Sequence, residues 1–113
     1  RCLSKIREEY TEKVVNSSQP FYEKLSELSY YGMCFYESMR MEAPVKISSP
    51  VTLTEDCQIG PYNIRKDSLI ILCLDAAHRN PTQWYEPNKF IPERFDPKSP
   101  LCMTPGGEKR HPY

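Results

Sequence analysis

The chain has 113 residues, 39% of them hydrophobic, with 11 prolines, and its 15 Lys plus Arg balance its 15 Asp plus Glu. That length suits one ordinary domain and is short for two, while the low apolar share and roughly doubled proline content point to an irregular, loop-rich polypeptide. A neutral chain offers no global field to recruit nucleic acid or an anionic membrane, so neither is expected as a partner.

Residues 1–15, RCLSKIREEYTEKVV, place Leu3, Ile6, Tyr10 and Val14 at helical spacing with charges between them, which predicts an amphipathic helix. NSSQP at 16–20 ends it. A short helical segment carrying Phe21, Leu25 and Leu28 follows, and then a longer helix from about Ser29, expected as its N-cap, to the break at Pro44. From Pro50 the period changes to two, with Val51, Leu53, Ile59, Tyr62 and Ile64 spaced as in short strands. RKDS at 65–68 is read as a turn and LIILCL at 69–74 as a buried strand. Beyond Asp75 prolines dominate and periodicity fades, so the remainder is read as a covering segment wrapped on a core.

Cys2, Cys34, Cys57, Cys73 and Cys102 are an odd set without metal-ligand spacing, and they read as free thiols in a reducing compartment. His78 is expected as a hydrogen-bonded loop residue and not a ligand, while His111, beside a proline, carries no signal. The longest apolar run, LIILCL, is far short of the roughly 20 residues that span a bilayer. The chain opens on Arg1, without an initiator methionine and in what reads as mid-helix, which suggests a piece of something larger.

The chemistry concentrates on the second long helix. At about 100° per residue, Tyr30, Met33, Cys34 and Met41 form one apolar stripe, with Glu37 at its centre and Arg40 at its edge. Three residues apart, Glu37 and Arg40 can touch, but a charge pair on a buried stripe needs further donors. Arg94, in FIPERF at 90–95, is the best unassigned candidate, because the apolar residues around it suggest extended backbone pressed onto a core. A carboxylate has about four lone-pair sites, enough to accept from two guanidinium groups at once.

ESMRMEAPV at 37–45 and AHRNPTQWYEPNKFIPERF at 77–95, in that order and with strands between them, resemble the cytochrome P-450 family of haem-thiolate monooxygenases over the whole chain. The resemblance implies a mainly α fold with a small antiparallel sheet (α+β), a partial cytochrome P-450 domain over 1–113: helices in 1–44, the small β-sheet in 45–74 and a Pro-rich meander in 75–113. It also implies that Glu37, Arg40 and Arg94 form the family's structural triad. Val45, Lys46, Ile47 and Ser48 match the stretch that in the family passes beside the haem and lines the substrate pocket.

Two departures matter. ISSPVTL at 47–53 offers no Arg near the start of the strand, where family members often hold a haem propionate. The family's ligand loop, Phe-x-x-Gly-x-Arg-x-Cys-x-Gly, does not occur within residues 1–113, and Cys102 in SPLCMTPGG lacks its flanking pattern, so Cys102 is read as a loop thiol. No residue of the chain is therefore assigned to catalysis or to metal. The resemblance implies a parent protein that uses haem, a thiolate ligand outside this chain and a reductase as redox partner to oxygenate a small apolar organic substrate. A membrane anchor outside the segment and a location on the cytosolic face of the endoplasmic reticulum are compatible with it. The alternative is a truncated or degenerate copy that is not an enzyme and has no haem of its own.

Overall fold

A computed structural model describes residues 1–110, which leaves His111 outside the described residues. The fold is α+β, helices with small antiparallel sheets. Helix α1 (Cys2–Tyr10) runs straight into a π turn, Thr11–Val15, closed by the Asn16 N–H on the Thr11 carbonyl at 3.1 Å. The helix expected over 1–15 thus widens in its last turn. Lys13 on that turn donates to Glu9 and to the Glu27 carbonyl, tying α1 to the 3-10 turn Leu25–Glu27 that follows α2 (Phe21–Lys24).

Helix α3 (Ser29–Met41) begins one residue earlier than a Ser29 cap would require, because Leu28 occupies the cap position. Its capping acceptor comes from another helix. The Glu9 carboxylate accepts from the Tyr30 N–H at 3.0 Å, the Tyr31 N–H at 2.9 Å and the Ser29 hydroxyl at 3.1 Å. A helix start exposes unpaired N–H groups and the positive end of its dipole, and one carboxylate answers both needs.

After α3 the chain leaves as a ribbon and returns. Strand β1 (Val51–Thr52) pairs antiparallel with β4 (Leu69–Ile70), and β2 (Cys57–Ile59) with β3 (Tyr62–Ile64) makes a hairpin between them whose turn uses Gly60 at φ 58°. The ribbon extends past the strands: the Ser48 N–H bonds the Leu72 carbonyl, Ile47 bridges Cys73, and the Asp75 N–H bonds the Lys46 carbonyl. At the RKDS turn, Asp67 takes a left-handed φ of 65°, which Asp tolerates. Helix α4 (Leu74–His78) and the 3-10 turns Pro92–Phe95 and Pro100–Cys102 complete the chain.

LIILCL is not a buried strand. Only Leu69 and Ile70 are in strand, Leu69 and Leu72 are 63% and 59% exposed, and Leu74 already belongs to α4. A two-stranded ribbon has no second layer of its own to cover its apolar side chains. The overall shape agrees: the radius of gyration is 18.8 Å, against about 13 Å for a compact chain of this length. Among the described residues the buried apolar side chains are few, Leu28, Cys34, Cys102 and Pro92, and all five cysteines are free. No helix of the described residues is long and apolar enough to cross a membrane.

Burial alone would raise the pKa of Glu9, but the N–H groups of Tyr30 and Tyr31, then Lys13 and Ser29, outweigh it and hold the carboxyl below the usual glutamate value. A carboxyl depressed in the folded state contributes stability above its unfolded pKa, about 4.3, and loses it as pH falls through the folded value. Glu9→Ala is therefore expected to cost about 1 kcal/mol near neutral pH, the usual worth of a cap. Thermal melts of the two proteins should converge as the pH is lowered through that range, and a pH-independent difference would count against the cap.

Candidate functional site

Helix α3 presents Glu37 and Arg40 one turn apart on the face that meets the 3-10 turn Pro92–Phe95. That turn carries Arg94, and the extended backbone expected for FIPERF is replaced by a 3-10 turn with Pro92 at its first position, where the missing N–H costs nothing. The three charged side chains are the largest fully buried ones among the described residues, with Glu37 at 0%, Arg94 at 1% and Arg40 at 2% exposure.

Their geometry is a closed network. Arg40 grips Glu37 bidentately, Nε to Oε2 at 2.8 Å and Nη2 to Oε1 at 2.9 Å, and Arg94 Nε donates to Oε1 at 3.1 Å. The Ile91 N–H, a donor without any sequence signal, adds a fourth bond to Oε1 at 2.9 Å. The remaining guanidinium N–H groups collect backbone carbonyls. Arg40 takes those of His78 at 2.7 Å and Lys89 at 3.4 Å, while Arg94 takes those of Tyr85, Glu86 at 2.7 Å and Lys89 at 3.3 Å. Glu86 holds a left-handed φ of 43°, a strained conformation for a residue with a Cβ, at the point where its carbonyl meets Arg94.

Two further contacts were not read from the sequence. Arg79 of HRNP donates to the Met41 carbonyl at 2.6 Å and to Asp75 at 3.2 Å, so it caps the C-terminus of α3 just as Arg40 of α3 caps α4 through His78. His78, expected as a hydrogen-bonded loop residue, is instead the last residue of α4; its carbonyl accepts from Arg40, while its buried Nδ1 finds no hydrogen-bond partner. Trp84, noted only as part of the motif, donates from Nε1 to the Ala77 carbonyl at 3.2 Å and lies in an aromatic row with Phe95 and Tyr36.

Val45, Lys46, Ile47 and Ser48 lie on the outgoing leg of the ribbon after α3, irregular but for the bridge from Ile47 to Cys73. Val45 and Ile47 are 57% and 58% exposed, alternate residues with apolar side chains in the open. Lys46 pairs with Glu42 at 3.1 Å, and the Ser48 hydroxyl is engaged by the Leu72 N–H at 2.9 Å and the Ser49 carbonyl at 3.0 Å. An apolar cleft of about 420 Å³ lies elsewhere, lined by Ile6, Tyr10, Phe21, Leu25, Leu28 and Tyr31, and shares none of these four residues.

The family described as Cytochrome P-450 matches residues 1–113. The chain is similar to an isoflavone 2'-hydroxylase of Medicago truncatula (31% identical, 88% of this chain and 20% of that protein) and to a berbamunine synthase of Berberis stolonifera (39%, 82% and 19%). It is also similar to a flavonoid 3'-monooxygenase of Arabidopsis thaliana (35%, 85% and 17%). A solved structure of a retinoic acid-bound cyanobacterial CYP120A1 superposes with a TM-score of 0.77 at 27% identity, over 88% of this chain and 22% of that one. This chain belongs to the cytochrome P-450 family, a family of haem-dependent monooxygenases, and spans about a fifth of the length of the curated relatives it matches.

No group of three or more His, Cys, Asp or Glu among the described residues could hold a metal. Cys102, 3% exposed, is closed into a turn whose backbone is bonded to Ser99 and Arg110. No catalytic step is assigned through these residues.

Removing the shared acceptor strands two buried guanidinium groups, so Glu37→Ala is expected to destabilise the fold by about 3–5 kcal/mol. Chemical denaturation would measure it, and a loss below about 1 kcal/mol, the worth of an exposed pair, would contradict the geometry.

Proposed function

We propose that this chain is part of a haem-thiolate monooxygenase in which it supplies the proximal scaffold and one strip of the substrate-pocket wall. The parent reaction inserts one atom of O2 into a small apolar organic molecule, and the other atom leaves as water with two electrons from a reductase-type partner and two protons. Haem and its thiolate ligand belong to other parts of the protein. The reading is carried by the burial of Glu37, Arg40 and Arg94 in one network that joins the Glu-x-x-Arg helix to the Pro-x-Arg-Phe turn. Residues 1–113 are proposed to act as a single partial domain.

Within the pocket strip, the side chains divide by role. Val45 and Ile47 offer apolar surface suited to an apolar substrate, whereas Ser48 already spends its hydroxyl on the ribbon and Lys46 is drawn to Glu42. Val45 and Ile47 are therefore the proposed substrate contacts, with Lys46 and Ser48 holding the strand in register.

The test is the carbon monoxide difference spectrum of the reduced protein. The complete polypeptide should give the thiolate band, and residues 1–113 mixed with haem should not, because none of the five cysteines stands in the family's ligand loop. A thiolate band from residues 1–113 alone would overturn the placement of the ligand, and no band from the complete polypeptide would favour a non-enzymatic copy. With a turnover substrate drawn from a panel of apolar compounds, Ile47→Ala should weaken kcat/KM about tenfold or more, the worth of lost pocket methylenes, while Lys46→Ala should change it about twofold or less. Equal effects would remove Ile47 from the pocket wall.

A further inference from the structure

We propose that Trp84 and Arg110 form a cation–π latch that fastens the closing segment, residues 99–110, over the buried Glu37–Arg40–Arg94 network, and that both are positioning residues for that network. This goes beyond the proposed function, since it concerns how the scaffold is held shut and not what the protein oxidises.

The segment is largely closed upon itself. Its 3-10 turn Pro100–Cys102 is capped by the Ser99 hydroxyl, Met103 bridges Lys109, the Thr104 N–H bonds the Glu108 carbonyl at 2.7 Å, and the Arg110 N–H bonds the Cys102 carbonyl at 2.7 Å. These bonds shape the loop without attaching it to the site. The Arg110 side chain reaches both ways: its Nε donates to the Leu101 carbonyl at 3.1 Å and its Nη2 to the Gln83 carbonyl, beside Trp84.

Electrostatics makes this an unfavourable place for a third guanidinium. Burial first, and then the charges of Arg94 and Arg40, push the pKa of Arg110 down, with the one carboxylate of the network already bonded to both other arginines. The indole answers that repulsion. The Arg110 guanidinium lies over the Trp84 ring at 4.1 Å from its centroid, and the Arg40 guanidinium lies over the same ring at 5.1 Å. A desolvated guanidinium is attracted by the negative face of a tryptophan more strongly than by any other aromatic side chain. Trp84 itself is fixed by its Nε1 bond to Ala77 and by Phe95 at 6.3 Å, so the ring is a preset platform. The cleft at this junction, about 380 Å³, is lined by Trp84, Arg94, Leu101 and Arg110 with no carboxylate among its lining residues, so the Arg110 charge is met there by the ring and by the Leu101 and Gln83 carbonyls.

Apolar filling and cation–π attraction predict different things. Trp84→Phe keeps an aromatic face, Trp84→Leu keeps only apolar bulk, Arg110→Lys keeps the charge and Arg110→Gln removes it. The experiment is hydrogen–deuterium exchange on the complete polypeptide, read at the amides of Thr104 and Arg110. Trp84→Leu and Arg110→Gln should each speed exchange about fivefold, as expected for a partly buried cation–π contact, with Trp84→Phe between Trp84→Leu and wild type, Arg110→Lys close to wild type and the double variant Trp84→Leu/Arg110→Gln no faster than either single. Phe and Leu giving equal exchange, or the two single effects multiplying in the double variant, would overturn the latch. Should Trp84→Leu fail to fold, the Arg110 pair decides alone, since equal exchange in Lys and Gln variants would equally overturn it.

Discussion

One carboxylate organises this molecule. Glu37 accepts four N–H groups that come from its own helix, from the Ile91 backbone and from the Arg94 turn more than fifty residues away. The largest fully buried side chains of the described residues are these charged ones and not leucines or phenylalanines. Such a network adds little net stability, because desolvation offsets most of the Coulomb attraction. Its physical value lies in geometry: a bidentate guanidinium and a filled carboxylate accept one arrangement, so helix α3 and the Pro92–Phe95 turn can dock in one way.

The same arginines solve a second problem. A proline-rich stretch cannot pair its backbone in a ladder, and its carbonyls still need donors where water is excluded. Arg40 and Arg94 supply them to residues 78, 85, 86 and 89, with Arg79 returning the favour to the C-terminus of α3. Guanidinium groups suit this role because each presents five donors in a rigid fork. Irregular backbone thus becomes ordered through side chains fixed elsewhere, and the meander needs no regular secondary structure to hold its course.

Away from the network, the chain is open. The ribbon of 46–53 with 67–75 shows Ile47, Leu69, Ile71 and Leu72 to the outside, and α1, α2 and α3 border an apolar cleft. The chain spans about a fifth of the length of its curated relatives and superposes on the cyanobacterial structure over 22% of that chain. Exposed apolar strands and a buried charge triad are two sides of one division of labour.

Local pattern was enough to find the helices ahead of Pro44, the turn at Asp67 and the i,i+3 spacing of Glu37 and Arg40, because helical and strand periods are written in adjacent residues. Arg94 could be matched to Glu37 through the family resemblance, since an unpaired charge among apolar residues demands a distant partner. The sequence failed where neighbours from elsewhere decide the outcome. LIILCL looks buried by composition, yet burial belongs to whatever packs on a strand, and nothing in the string says that Leu74 starts a helix. Glu9 looks like one more surface charge until α1 lies against the start of α3. The Ile91 N–H and the carbonyls of the meander carry no residue identity at all, so only the tertiary structure could assign them to Glu37, Arg40 and Arg94: side-chain types are encoded letter by letter, whereas backbone hydrogen bonds between distant segments exist only once the chain has brought those segments together.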